Sequence, residues 1–107
     1  MAQKIPKKIR QNIDAYVSVI GKDIPISGVY VFGSYAKGTA RSDSDIDIAI
    51  ISSAFDKGTQ YNGQWLVQKI WDVSFKNIDV VGYSPQDFRR LSSPILAEIR
   101  KTGVLLS

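Results

Sequence analysis

The stretch Gly33-Ser34-Tyr35-Ala36-Lys37-Gly38-Thr39-Ala40-Arg41-Ser42-Asp43-Ser44-Asp45-Ile46-Asp47 decides how this chain is read. Just before it, Val29-Tyr30-Val31-Phe32 is a β-branched and aromatic run with the composition of a buried strand. Gly33 breaks that run, a polar loop follows, and Asp45-Ile46-Asp47-Ile48-Ala49-Ile50-Ile51 then alternates carboxylates with apolar residues. In a strand the period of two puts Asp45 and Asp47 on one face and Ile46, Ile48 and Ile50 on the other. The isoleucine face can be buried, whereas two unpaired carboxylates in a core would cost several kcal/mol. At about 3.3 Å of rise per residue the two aspartates start roughly 6.6 Å apart, close enough to converge on one cation. Paired carboxylates on a rigid strand, facing a Gly-Ser turn, describe a site for metal and phosphate.

Ser34 and Asp45 are separated by ten residues. Gly-Ser, ten intervening residues and Asp-x-Asp resembles the signature of the nucleotidyltransferases related to DNA polymerase β. The surrounding residues 35–41 and 44–47 are similar to those of its small stand-alone members, the minimal nucleotidyltransferases. Ser42 departs from the pattern, because relatives often carry proline there. The resemblance implies transfer of a nucleoside monophosphate, AMP from ATP being expected, to a hydroxyl acceptor. Asp45 and Asp47 would then be catalytic residues and metal ligands. Asp79 is the best candidate for a third carboxylate, since it too sits mid-strand between apolar neighbours. Gly33 and Ser34 would bind the triphosphate, with Lys37 and Arg41 neutralising phosphate charge or lying simply at the surface. Small members of the family are similar to antitoxins encoded beside all-α HEPN-type RNase toxins, some of which they adenylylate. The expected partner is therefore a separate helical protein of that kind or a second copy of this chain. Two other readings stay open: a protein-binding subunit with little or no turnover, and transfer to a small molecule or RNA.

Composition narrows the chemistry independently. There is no cysteine and no histidine among 107 residues. That removes thiolate and imidazole metal sites, histidine bases and Ser-His triads together. A metal here must sit on oxygen ligands, which points to Mg²⁺ or Mn²⁺. Rival motifs fail on single residues. Gly33 and Gly38 have P-loop spacing, but Thr39 stands where the lysine is required. Residues 43–47 begin like a calcium loop, yet Ile48 replaces its glycine and Ala54 its final glutamate.

The chain reads as a single domain over residues 1–107 with a formal net charge of +4. Lys4, Lys7, Lys8 and Arg10 crowd the start, but no aromatic residue interleaves with them, so a solvated helix face is favoured over a nucleic-acid patch. No apolar run approaches the ~20 residues of a membrane helix and the start lacks a signal-peptide core, so a cytoplasmic protein with no membrane contact is expected.

Periodicity supplies the remaining elements. Ile9, Ile13, Tyr16, Val17 and Ile20 predict a first helix over residues 6–20, stopped by Gly21. Strands are predicted at 28–32, 45–52 and 78–82, and a short helix from Tyr35 capped by Ser34. Residues 56–63 read as an exposed loop and 64–75 as a helix. Not all of Trp65, Leu66, Ile70 and Trp71 on that helix can face one small core, so part of it is expected in an interface. Ser84-Pro85 and Ser93-Pro94 are two helix starts, Gly103 ends the last helix, and Val104-Leu105-Leu106 is a candidate edge strand. The predicted fold is α+β: a small mixed sheet with helices packed mainly on one face, as in the polymerase β-like nucleotidyltransferases, with strand order left open.

Overall fold

The computed structural model describes residues 5–41, 43–55, 60–71, 77–90 and 93–106; the side chain of Trp71 lies outside the description. Lys4, Ser42 and the ends predicted for the 56–63 loop and the 64–75 helix fall partly or wholly outside it. In chain order the elements are α1 (Lys7–Ile20), β1 (Gly28–Phe32), α2 (Ser34–Lys37) and β2 (Ile46–Ile51). A 3-10 turn at Ser53–Phe55 leads to α3 (Gly63–Trp71), β3 (Ile78–Tyr83), α4 (Pro85–Arg90), α5 (Pro94–Thr102) and β4 (Val104–Leu105). Among the described residues no helix is long and apolar enough to cross a membrane.

The four strands form one mixed sheet in the order β3-β2-β1-β4. β1 runs antiparallel to both β2 and β4, whereas β2 and β3 are parallel. A parallel pair cannot be joined by a tight turn, so the chain must cross over, and α3 makes that crossing.

Strand alternation sorts side chains into two layers. Val29, Val31, Ile46, Ile48, Ile50, Ile78 and Val80 bury against Ile13, Tyr16 and Ile20 of α1 and Leu66 of α3. This larger core lies on the face carrying α1 and α3. The opposite face is covered only in part, where Leu96 and Ile99 of α5 pack on Ala49 and Phe88 of α4 lies against Tyr30. Both late helices start as their sequences predict. Ser84 Oγ accepts from the Asp87 N–H and Ser93 Oγ from the Leu96 N–H, with proline at the first helical position of each. The part of the second face left open is its end near the start of β2 and β3.

Lys7, Lys8 and Arg10 lie on the exposed side of α1. On α3, Leu66 is fully buried, Trp65 is half-buried with Tyr61 edge-on at 4.9 Å, and Val67 is exposed.

α1 and α3 are joined by one buried polar contact. The Tyr16 hydroxyl donates to the Leu66 carbonyl at 2.7 Å, and burial pushes its pKa upward. A buried hydroxyl without an acceptor would cost about 1–3 kcal/mol, so this bond constrains how the helices pack. Tyr16→Phe removes the donor and keeps the ring. It should lower unfolding free energy by about 1 kcal/mol and Tm by ~4 °C, read from urea and thermal melts. An unchanged Tm would show that the contact contributes nothing.

Candidate active site

At the end of β1 the chain must turn sharply beside its antiparallel neighbour. Gly33 does so at φ 72°, ψ −148°, a conformation open to glycine and strained for other residues. A Cβ built on Gly33 would run into the carboxylate of Asp47. The glycine is therefore needed twice, for its backbone angle and for the close approach. α2 follows at once, with the Lys37 N–H bonded to the Gly33 carbonyl at 3.1 Å, and Gly38 (φ 78°) ends it.

Ser34 departs from the predicted role. Gly33 occupies the cap position, no side-chain capping bond is made, and α2 begins at Ser34 rather than Tyr35. The turn is set by the glycine backbone, which leaves the half-buried Ser34 hydroxyl uncommitted as a cap.

The carboxylates come together through sheet register. Asp47 stands opposite Phe32 on β1 and opposite Asp79 on β3. Asn77, at φ 59°, turns the chain into β3 and accepts from the Ile46 N–H at 2.7 Å, which sets that register. Asp45 is exposed just ahead of β2, one residue outside the strand. The loop before it is fastened by Ser44, whose hydroxyl accepts from the Arg41 N–H at 2.7 Å.

Electrostatics mark Asp47 as the centre. Its pKa is pushed up to about 6, first by burial, then by the charges of Asp79, Asp45 and Glu98. Glu98, on α5, had no signature in the sequence, because a glutamate on an amphipathic helix reads as a solvated face. It also pairs with Lys37, Nζ to Oε1 at 2.7 Å. Lys37 thus lies at the rim of the carboxylates, while the Arg41 side chain is exposed and has no ion pair among the described residues.

The donor set suits a hard divalent cation: oxygen ligands only, one of them made to resist ionising by burial and then by its neighbours' charges. As placed, no three acidic side chains among the described residues are gathered tightly enough to ligate one ion. The carboxylates would have to close in around it. A separate open groove of about 240 Å³, walled by Tyr30, Ile51, Phe88 and Leu105, lies at the far end of the same face and is lined by no carboxylate.

Comparison with known proteins bears on the family and the fold. The family model for polymerase beta nucleotidyltransferases matches residues 9–107. The protein adenylyltransferase MntA of Shewanella oneidensis is 28% identical over 94 residues, covering 86% of this chain and 62% of its own length. The chain thus spans less than two thirds of that curated relative. A candidate nucleotidyltransferase from Sulfolobus solfataricus shares the fold at a TM-score of 0.63 and 23% identity, over 92% of this chain and 80% of its own. A toxin–antitoxin complex with AMP-PNP contains a chain similar at a TM-score of 0.62 and 26% identity, covering 91% and 71%. A mutant of the toxin–antitoxin MntA–HpeT is similar at 0.61 and 25%, covering 88% and 71%.

The raised pKa of Asp47 has a definite sign for stability. Its folded value, about 6, lies above the ordinary 3.8, so the folded state holds the proton more tightly. The associated stability is fully present below about pH 3.8 and lost as pH rises through about 6. In metal-free protein at pH 7.5, Asp47→Asn should therefore raise stability, by about 1 kcal/mol once solvent screening of a partly exposed group is allowed for. Thermal melts in chelator should show a Tm higher by ~4 °C, with the difference closing below pH 4. Equal melting at pH 7.5 would mean that neither burial nor neighbouring charge penalises the Asp47 carboxylate.

Proposed function

The chain belongs to the polymerase beta nucleotidyltransferase family, and from that premise we propose that it transfers AMP from ATP to a hydroxyl acceptor. The observation that carries this reading is the β2–β3 register, which sets Asp79 beside Asp47 under the Gly33-Ser34 turn. The acceptor oxygen attacks the α-phosphorus of ATP and forms a new P–O bond. The bond from that phosphorus to the bridging oxygen breaks, and pyrophosphate leaves. Asp45, Asp47 and Asp79 would hold a divalent cation, Mg²⁺ or Mn²⁺, which supplies charge neutralisation at the attacking and leaving oxygens.

The chain's own groups do the rest. Gly33, lacking a Cβ, lets the triphosphate approach the backbone, and Ser34 adds a hydroxyl and an N–H donor. Lys37 meets phosphate charge from the end of α2, and Arg41 does so from the loop. Asp79, exposed on β3, takes the proton from the acceptor hydroxyl, since the chain has no histidine to do so. The acceptor we favour is a hydroxyl on a separate partner protein. Support comes from the relatives, one a protein adenylyltransferase and others solved as toxin–antitoxin assemblies. On this reading the protein is the antitoxin-like half of a cytoplasmic pair.

Calorimetry with ATP and Mg²⁺ should show saturable binding that Asp47→Asn weakens at least about tenfold, the effect of removing one charged ligand contact. Equal affinity in the variant would overturn the metal assignment. Binding without AMP transfer to any co-purified partner would make the chain a binding subunit instead.

Asp79→Asn should behave differently. General-base assistance contributes about 10²- to 10⁴-fold, so transfer should fall by that amount while ATP binding falls much less. Pyrophosphate release measured beside calorimetry separates the two effects. An unchanged transfer rate would place Asp79 outside the chemistry.

A further inference from the structure

Lys37 lies at the rim of the carboxylates, and the residue that holds it there comes from the far end of the chain. Its Nζ lies 2.7 Å from Glu98 Oε1, the short distance of a charge-assisted hydrogen bond. Glu98 stands on α5, whose neighbouring Leu96 and Ile99 are buried against Ala49. Those two residues dock the helix, so Glu98 is not needed for packing. With side chains 48% and 37% exposed, the ion pair adds little to stability. A carboxylate that packing does not require is explained by what it does to Lys37.

We propose that Glu98 is a positioning residue for nucleotide binding: by pairing with Lys37 it holds the ammonium at the rim of the Gly33-Ser34 turn. A lysine ammonium has three donors. One is taken by Glu98, and the other two remain for phosphate oxygens. Left alone, the flexible four-carbon stem would have to be ordered when the nucleotide arrives, and binding would carry that entropy cost. The pair ties α2, which follows β1, to α5, which precedes β4. The phosphate-side cation is thereby held in place before ligand enters. This inference rests on the nucleotidyl-transfer reading above and goes beyond it by assigning Glu98.

The test is a double-mutant cycle on the full chain using ATP and Mg²⁺, with wild type, Glu98→Gln, Lys37→Met and the double variant. Glu98→Gln should weaken ATP binding about threefold, the size of a screened ion-pair effect, with the loss shrinking at 0.5 M salt. In the Lys37→Met background the same substitution should change nothing further, and Tm should stay within ~1 °C throughout. Additive losses in both backgrounds, or a lowered Tm, would show that Glu98 serves the structure of α5 and would overturn the inference. Tighter ATP binding in Glu98→Gln would overturn it too, by showing that Glu98 competes with phosphate for Lys37. If wild type itself binds no ATP, the nucleotidyl-transfer reading falls and this one falls with it. If wild type binds and the cycle is additive, only the role of Glu98 is lost.

Discussion

Like charge forced together by strand register is the constraint on which the site depends. Asp47 and Asp79 face the same side because β2 and β3 are parallel and paired in register. Neither can turn away without moving an isoleucine or valine out of the larger core. Ile46, Ile48, Ile78 and Val80 are buried on the other face, and a one-residue slip of either strand would expose that whole set. Hydrophobic burial of one face thus holds repelling carboxylates on the other. The core supplies the free energy, and the pKa of Asp47 is raised first by burial and then by the charges of its neighbours.

The remaining structure follows from keeping that end of the sheet open. α5 covers Ala49, two residues along β2 from Asp47, and α4 packs on Tyr30. The second face is thereby dry at its middle and accessible at the carboxylate end. Gly33 keeps the approach clear on the β1 side, because any other residue would place a Cβ against Asp47. Among the described residues, site access thus depends on an absent side chain and on the limited reach of α4 and α5.

Much of this was legible in the sequence because the signals were local. The β-branched run before Gly33 and the Ser-Pro helix starts act within a few residues and appear where expected, whereas the Asp-x-Asp strand begins at Ile46 and leaves Asp45 just outside it. The mixed α+β sheet follows from them. Ser34 misled because a serine before a short helix is an ordinary capping signal, whereas here the backbone angle of Gly33 makes the turn. Asp79 could be named from its apolar neighbours, but its register against Asp47 depends on strand order, which no local pattern encodes. Asn77, the positive-φ residue that opens β3, gives only a weak hint of that junction. Glu98 was invisible for a stronger reason. It reaches the site only through the path of α5 across the sheet, and a glutamate beside buried Leu96 and Ile99 matches any amphipathic helix.

Charge works at two ranges in this chain. The formal net charge is +4, so at distances beyond a few side chains a triphosphate is attracted. Within the site the sign reverses, because Asp45, Asp47, Asp79 and Glu98 outnumber the paired Lys37. A bare polyphosphate drawn in by the outer field would meet repulsion at the last step. An anion accompanied by a divalent cation would not, since the cation is what the carboxylates attract. For the proposed nucleotide substrate, the short-range field would select the metal-bound form, while the long-range field would only raise its local concentration. Salt should act on these terms unequally: the outer attraction is screened over about 8 Å at physiological ionic strength, whereas carboxylates held side by side on adjacent strands interact within that length. On the proposed reading, discrimination between metal-bound and free nucleotide would rest on the sheet register itself and would persist at ionic strengths that remove the steering.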